Sequence, residues 1–237
     1  MEIDKSANLP VREMLEGFCT SYIAKTPNPV DISFGFLIND GQWWTVSIQK
    51  EGSYTIANCK PSEPTFYLVS TAKTLEDIYL GKMHFLTAAG RAKMNDYAPL
   101  DVRFIDGYSP PKDLDLMDFA FHFFVIGEPE KILFGKDHAR VVHGGYAVPL
   151  VYTSGLRTAW YRVEQGMVIN EKEEDQYNPF NTLVIGTKGE GSIKLGHTEY
   201  RFAEGEAYII PANTAHSFWT DDEDGLEFVI IMYGEGA

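Results

Sequence analysis

The stretch Gly205-Glu206-Ala207-Tyr208-Ile209-Ile210-Pro211-Ala212-Asn213-Thr214-Ala215-His216 decides the fold of the C-terminal half of this chain. It predicts a strand, a tight turn and a second strand. The apolar run before Pro211 forms the first strand, which ends there because proline has no amide hydrogen to give to a sheet. Asn213 tolerates the positive φ angle of a tight turn. His216 therefore begins the second strand.

The order of Gly205, Pro211 and His216 resembles the second signature of the cupin barrels, with Asn213 where the family usually has glycine. The resemblance implies an all-β jelly-roll barrel over residues 147–237 that holds a metal or a small ligand. In metal-binding cupins the histidine at the position of His216 is a ligand. Short apolar runs separated by turn signals support the barrel. These runs are 148–152, 159–163, 182–186, 192–195, 199–202, 207–210, 217–220 and 227–233.

The first cupin signature, which supplies the other metal ligands, is incomplete in this sequence. Counting back from Gly189 places Thr182 at the glutamate position. The two histidine positions fall on Asp175 or Gln176 and on the second residue after each, and neither pair is His-x-His. His216 and Asp175 remain as candidate ligands for a divalent transition metal such as iron, manganese, nickel, copper or zinc. They are fewer than the three or four protein ligands of a closed site.

A small-molecule ligand is the alternative occupant of the barrel. Such sites are mostly apolar, with a few convergent polar groups. Arg157 and Tyr161 lie on or before the run 159–163, and an inward arginine favours a carboxylate or phosphate. Pairing of Arg157 with surface acids is the other interpretation. The predicted ligand-binding residues are His216, Tyr161, Arg157, Gln176, Asn178, Thr182 and Trp219.

The N-terminal half predicts a helix, four strands, two helices, a strand and a further helix. Residues 40–44 (Asp-Gly-Gln-Trp-Trp), 54–59, 75–81 and 89–93 resemble the sterol-carrier-protein-2-like (SCP2-like) domain. The resemblance covers residues 10–105, and with the next helix we assign the domain to 8–126. It implies a mixed α/β (α+β) domain enclosing an apolar tunnel for lipid or acyl chains. The alternative is a plain apolar core.

Residues 113–126 are rich in phenylalanine and are bracketed by Asp113 and Gly127. They predict a docking helix at the tunnel mouth or a core helix, and the pattern also allows a strand. Residues 127–146 show no strong period and are assigned as the linker. His138 and His143 in this linker are predicted to be solvated loop residues.

Composition limits the classes of function. The chain has 237 residues, enough for two domains, and a formal net charge of −14, which argues against nucleic acid or an anionic membrane as partner. Cys19 and Cys59 have no disulfide or zinc spacing and predict buried thiols in a reducing compartment. The sequence shows no signal peptide and no apolar run of membrane-spanning length, so we expect a cytoplasmic protein without membrane insertion.

Two pocket-forming resemblances without a complete catalytic constellation favour a non-catalytic binding protein for a lipid or an apolar acid. The alternative is a cupin-type metalloenzyme (a dioxygenase, isomerase or lyase) centred on His216, or His216 acting as a general base without metal. A third interpretation is an interaction module. The run 227–233 is apolar enough to pair with another chain through a strand edge, which predicts a homodimer.

Overall fold

The computed structural model describes residues 9–27, 29–39, 41–91, 96–111, 114–127 and 130–237. Asp40, Ala92, Lys93 and Asp113, which carry parts of the sequence predictions, lie outside these ranges. The chain divides into two compact units, Met1–Leu133 and Phe134–Ala237. This division falls inside the predicted linker, 127–146. Each unit has its own sheets and is described by itself.

The N-terminal unit combines helices with one sheet. The predicted strands and helices are confirmed, with ends shifted by a few residues. Its elements are α1 (Val11–Lys25), β1 (Ile32–Ile38), β2 (Gln42–Ile48), β3 (Tyr54–Ala57), β4 (Phe66–Ser70), α2 (Ala72–Tyr79), α3 (Phe85–Ala89), β5 (Asp101–Phe104) and α4 (Leu116–Phe124). The strand order is β3-β2-β1-β4-β5, and β1 pairs with β4 in parallel. None of the helices in the described ranges is long and apolar enough to cross a membrane.

The segment predicted as a docking or core helix forms α4, which packs in the core. Asp115 begins the helix: its carboxylate accepts hydrogen bonds from the amides of Met117 and Asp118. Phe123 is fully buried, and its ring centroid lies 5.3 Å from that of Phe34 on β1. Aromatic side chains of this size bury large apolar areas, so α4 stabilises the unit by covering the inner face of its sheet.

The C-terminal unit is made of strands and two short 3-10 helices, Lys136–His138 and Glu173–Asp175. All eight predicted strands are confirmed, and β6 and β9 are additional. The strands are β6 (Arg140–Val142), β7 (Gly145–Thr153), β8 (Leu156–Val163), β9 (Val168–Ile169), β10 (Asn181–Lys188), β11 (Glu190–Leu195), β12 (Thr198–Ala203), β13 (Ala207–Ile210), β14 (His216–Trp219) and β15 (Leu226–Tyr233).

These strands form two sheets that pack face to face as a jelly roll. The six-stranded sheet has the order β13-β10-β15-β8-β7-β6, and the four-stranded sheet has the order β12-β11-β14-β9. Both sheets contribute buried side chains to one core, with Phe228 and Val184 from the first and Phe218 and Ile193 from the second. The predicted barrel is therefore present.

Strand β15 has hydrogen-bonded neighbours on both sides, β10 and β8. Its backbone groups are already paired, so it offers no free edge to a second chain. The expectation that residues 227–233 mediate dimerisation through a strand edge is wrong. The edges of this sheet are β13 and β6.

The end of the predicted linker is part of the barrel. His143 and Gly144 form the turn between β6 and β7, with φ angles of 49° and 89°. A Cβ atom on Gly144 would lie 2.1 Å from the carbonyl oxygen of Val168, so only glycine lets β9 approach this closely. Residues 136–146 show no clear hydrophobic period, and for this reason the short hairpin of β6 and β7 was not predicted.

Both cysteines are free thiols. Cys19 is buried in α1, and burial raises the pKa of its thiol to about 12. Cys59 is exposed, so the prediction of a buried thiol is wrong at this position. It lies two residues after Ala57, the last residue of β3, in a bend where the alternation of the strand no longer applies.

Candidate functional site

His216 is the first residue of β14 and lies on the inner face of the four-stranded sheet. Alternation along the strand places it on the same side as Phe218, which belongs to the core. Its residue surface is 3% exposed. Burial lowers the pKa of the imidazole, and the contact with the Thr214 carbonyl offsets part of this effect. His216 is therefore neutral near pH 7.

Hydrogen bonds fix the tautomer of His216. Its Nδ1 lies 2.9 Å from the carbonyl oxygen of Thr214, and since a carbonyl can only accept, Nδ1 carries the proton. The lone pair is then on Nε2, which lies 3.5 Å from Nδ2 of Asn178. The same amide nitrogen donates to Oγ1 of Thr182 at 3.2 Å. These three polar side chains form a chain of hydrogen bonds between the two sheets.

Arg157 lies at the same end of the barrel as Thr182. The strand register places Arg157 opposite Met232, Met232 opposite Thr182, and Thr182 opposite Ile210. Because paired residues share a face, this row points inward with the core members Met232 and Ile210. Ile210 ends its strand and the other three residues lie one position from the ends of theirs, so the row forms a rim at the end of the barrel.

Aromatic rings hold the Arg157 guanidinium. Its central carbon lies 4.6 Å from the ring centroid of Tyr152 and 5.3 Å from that of Phe180. Nη2 donates to the carbonyl oxygen of Gly236 at 3.2 Å. Nε is buried and has no hydrogen-bond partner among the described residues. A cation in this position is oriented by its neighbours while part of its donor capacity is unused.

The remaining predicted ligand-binding residues lie elsewhere. Tyr161 stacks on Phe228, with centroids 5.7 Å apart, and is part of the barrel core. Gln176 turns its side chain toward the carbonyl oxygen of Glu171, and its own carbonyl accepts from the amide of His216. Trp219 is on the opposite face of β14 from His216, since the two are an odd number of residues apart. The assignment of Trp219 to this site is wrong.

Asp175 is engaged with a histidine that was predicted to be solvated. Its Oδ2 lies 3.2 Å from Nδ1 of His143, and the two side chains are only 12% and 11% exposed. The amide of Asn170 donates to the carbonyl of His143, and its side chain lies 3.4 Å from the carbonyl of His216. His143 is thus a part of the barrel end, and the prediction of a solvated loop residue is wrong.

The side chains at this end do not fit the ligand set of a divalent transition metal. No group of three or more His, Cys, Asp or Glu side chains in the described ranges is arranged to hold an ion. His216 offers only Nε2, beside which the Asn178 amide lies, and Asp175 is engaged with His143. Three or four converging ligands are usual for such metals. The pair His216 and Asp175 therefore supplies fewer ligands than such a metal usually has.

Sequence reasoning missed Tyr152, Phe180, His143 and Asn170. Tyr152 ends a predicted strand, and its pairing with Arg157 follows once β7 and β8 are known to be a hairpin. The pair Gly144-Gly145 after His143 signalled a turn. Nothing in the sequence indicated that Phe180, which precedes β10, covers Arg157.

The geometry can bind and orient a small molecule. The six-stranded sheet offers the Arg157 cation and the Thr182 hydroxyl, the four-stranded sheet offers the neutral imidazole of His216, and the Asn178 amide lies beside both the imidazole and the hydroxyl. This combination suits a ligand with an anionic group and an apolar body.

Residues 158–235 match the family model of the AraC-like ligand binding domain. The search of curated proteins returned no match. The matched residues run from β8 through β15 and include Thr182 and His216 but neither Arg157 nor Tyr152. The C-terminal unit contains a cupin-type domain.

Several solved structures are similar to part of this chain. An RmlC-like cupin family protein with a double-stranded β-helix fold from Methanocaldococcus jannaschii is 21% identical, covers 46% of this chain and 94% of its own, and has a TM-score of 0.37. A cupin 2 conserved barrel domain protein from Salinispora arenicola CNS-205 is 13% identical, with 46% and 91% covered and a TM-score of 0.39. Bacillus subtilis oxalate decarboxylase, a protein with Mn(II) centres, is 18% identical, with 42% and 28% covered and a TM-score of 0.36.

Proposed function

We propose that the C-terminal unit binds a small apolar carboxylic acid at the end of the barrel without transforming it. The observation that carries this proposal is Arg157, an inward-row arginine held between Tyr152 and Phe180 with a buried, unpartnered Nε. A carboxylate accepts paired hydrogen bonds from a guanidinium and would satisfy the unused donor. The match of residues 158–235 to a ligand-binding family supports the same role.

The chain from His216 through Asn178 to Thr182 serves this function by positioning. Each member is engaged with another, so the side chains are held in place before a ligand arrives. Pre-organised polar groups reduce the entropy lost on binding. Met232 and Ile210, in the same inward row, supply apolar surface for the body of the acid.

Decanoate binding to the full chain tests this proposal. We expect saturable binding by isothermal titration calorimetry, and Arg157→Gln is expected to weaken it about tenfold to a hundredfold because a charge-assisted hydrogen bond is lost. Arg157→Lys keeps the positive charge but loses the planar pair of N–H donors of the guanidinium. Its affinity for decanoate should therefore lie between those of the wild-type chain and Arg157→Gln.

Arg201→Gln is the matched control for this experiment. Arg201 is another arginine of the same barrel, but its side chain is 63% exposed and pairs with Glu190 and Glu206 at the surface. We expect decanoate affinity to be unchanged in this variant. Equal losses in the Arg157 and Arg201 variants, or no saturable binding by the wild-type chain, would disprove the proposed site.

We also propose that the N-terminal unit is an SCP2-like domain that binds an apolar molecule. Support comes from the element order, since the helix, strands and later helices quoted for the resemblance are all present. The interior formed by the sheet and α4 is strongly apolar. The two units would then bind ligands of different chemistry within one chain.

A further inference from the structure

Among the described residues of the N-terminal unit, Trp44, His84 and Thr87 each have a buried side-chain atom without a hydrogen-bond partner, and the last two lie three positions apart. His84 is 9% exposed and Thr87 is 1% exposed. Neither Nε2 of His84 nor Oγ1 of Thr87 has a hydrogen-bond partner among the described residues. Buried polar groups are almost always hydrogen-bonded, because an unmade bond costs free energy. Two such groups close together therefore require an explanation.

The two residues are neighbours at the beginning of α3. His84 is the N-cap residue, and Thr87 lies three positions later, where side chains share one face of a helix. The amide of Thr87 donates to the carbonyl of His84 at 2.9 Å, which fixes this turn. The two unpartnered groups thus lie on one side of a rigid turn.

The backbone fixes the tautomer of His84. Its Nδ1 accepts a hydrogen bond from the amide of Leu86 at 3.3 Å, so the proton of the neutral ring is on Nε2. Burial lowers the pKa of the ring to about 4, which keeps it neutral near pH 7. The pair therefore presents an N–H donor and a hydroxyl that can donate or accept.

Apolar side chains surround the pair. The ring of Phe121 lies over His84, with centroids 5.5 Å apart, and Phe121 itself is half-buried. Phe85, next to His84, is 1% exposed and stacks on Phe124. A molecule bound to the pair would lie against aromatic surface.

The pair offers no positive charge to an anion. The His84 ring is neutral near pH 7, and the nearby Glu130 is paired with Lys25 at 3.0 Å and with His122 at 2.9 Å. A carboxylate beside the pair would lose its hydration without gaining a cation, so an uncharged oxygen suits the pair better.

We propose that His84 and Thr87 hydrogen-bond the single hydroxyl or carbonyl group of an uncharged, otherwise apolar molecule. The oxygen of that molecule accepts from Nε2 of His84, and the Thr87 hydroxyl donates to it or accepts from it. This inference rests on the proposed apolar-ligand role of the N-terminal unit and adds the polar group that the ligand must carry.

The test compares 1-decanol with decanoate on the full chain by isothermal titration calorimetry. We expect 1-decanol to bind, and both Thr87→Val and His84→Asn to weaken it about tenfold each, the loss of one hydrogen bond to a neutral group. Asparagine keeps an acceptor for the Leu86 amide but removes the Nε2 donor. Thr55→Val, on the exposed side of β3, is the control and should bind normally.

A crossed measurement separates this site from the barrel. We expect Thr87→Val to leave decanoate binding unchanged and Arg157→Gln to leave 1-decanol binding unchanged. If 1-decanol binds but neither variant of the pair weakens it, the inference is wrong and the apolar-ligand role stands. If the pair holds only an ordered water in a crystal grown with 1-decanol, the inference alone is wrong. If 1-decanol does not bind at all, both are wrong.

Discussion

His84 and His216, one in each unit, are buried histidines whose surroundings differ in one respect. Burial lowers the pKa of both rings, and a backbone group engages Nδ1 of both. At His84 that group is the Leu86 amide, which donates, whereas at His216 it is the Thr214 carbonyl, which accepts. The proton is therefore on Nε2 in His84 and on Nδ1 in His216.

This difference decides what each ring offers to its surroundings. The Nε2 lone pair of His216 has the Asn178 amide beside it, whereas the Nε2 proton of His84 has no partner among the described residues. Burial alone makes a histidine neutral, but the adjacent backbone group determines whether its other nitrogen donates or accepts. His216 thus has a neighbouring group at each ring nitrogen, whereas we propose that a ligand engages Nε2 of His84.

The largest expected effect is the loss of stability when a ring is removed from the aromatic core of the N-terminal unit. It tests whether this core maintains the surroundings of His84. Phe123→Ala removes a fully buried ring of α4 that contacts Phe18, Phe34 and Phe36. We expect a loss of about 3–5 kcal/mol in the free energy of unfolding, from lost burial and the cavity left behind. Urea denaturation followed by circular dichroism measures it.

Phe104→Ala is the control for this core substitution. Phe104 is on the edge strand β5 and is 54% exposed, so its removal should have little effect. Decanoate affinity should also be unchanged in Phe123→Ala below the denaturation midpoint. A loss as small as that of Phe104→Ala would contradict a packed core around α4.

The second-largest expected effect is the pH dependence of the free energy of unfolding that His84 causes. The pKa falls from 6.5 in the unfolded chain to about 4 in the folded protein, so acid protonates the unfolded state first. Stability is therefore complete above pH 6.5 and is lost as the pH falls toward 4, by about 3 kcal/mol at most. Urea unfolding between pH 7 and pH 5, above the range of the carboxylates, measures the slope.

The variant His84→Asn should flatten this slope, because asparagine does not titrate. Burial of His216 shifts its pKa in the same direction and gives a residual slope that His84→Asn leaves in place. An identical pH dependence in wild type and His84→Asn would show that His84 is not buried as described.

The smallest effect compares two threonines that are each 1% exposed, Thr87 and Thr182. The hydroxyl of Thr182 accepts from Asn178, so Thr182→Val should cost about 1 kcal/mol of unfolding free energy. The hydroxyl of Thr87 has no partner among the described residues, so Thr87→Val should be neutral or slightly stabilising without ligand. Equal losses in the two variants would contradict the contrast between the two units.

Local patterns in the sequence were enough to predict the strands of the barrel and one part of the candidate site. The strand alternation that puts His216 beside Phe218 also puts Trp219 on the other face, and applying it fully would have removed Trp219 from the prediction. The hydrogen bond from Asn178 to Thr182 is likewise local, since the residues lie close together before and within β10.

Contacts between distant segments could not be derived in this way. Asp175 pairs with His143 across the three strands β7, β8 and β9, and Phe180 covers Arg157 from the segment that precedes β10. Both pairings depend on how the sheets fold onto each other, which composition and period do not encode. Whether Nε2 of His84 has a hydrogen-bond partner likewise depends on all the segments that pack around it.

The parallel pairing of β1 with β4 has a consequence for the order of events during synthesis. Strands β1 to β3 form a meander that can pair as soon as it is made, but β1 gains its second neighbour only after β4. Phe34 and Phe36 gain their contacts with α4 only when α4 is made, more than eighty residues after β1 begins. Throughout that interval the nascent chain exposes an aromatic surface that is prone to aggregate. A chaperone bound during this period would prevent that aggregation.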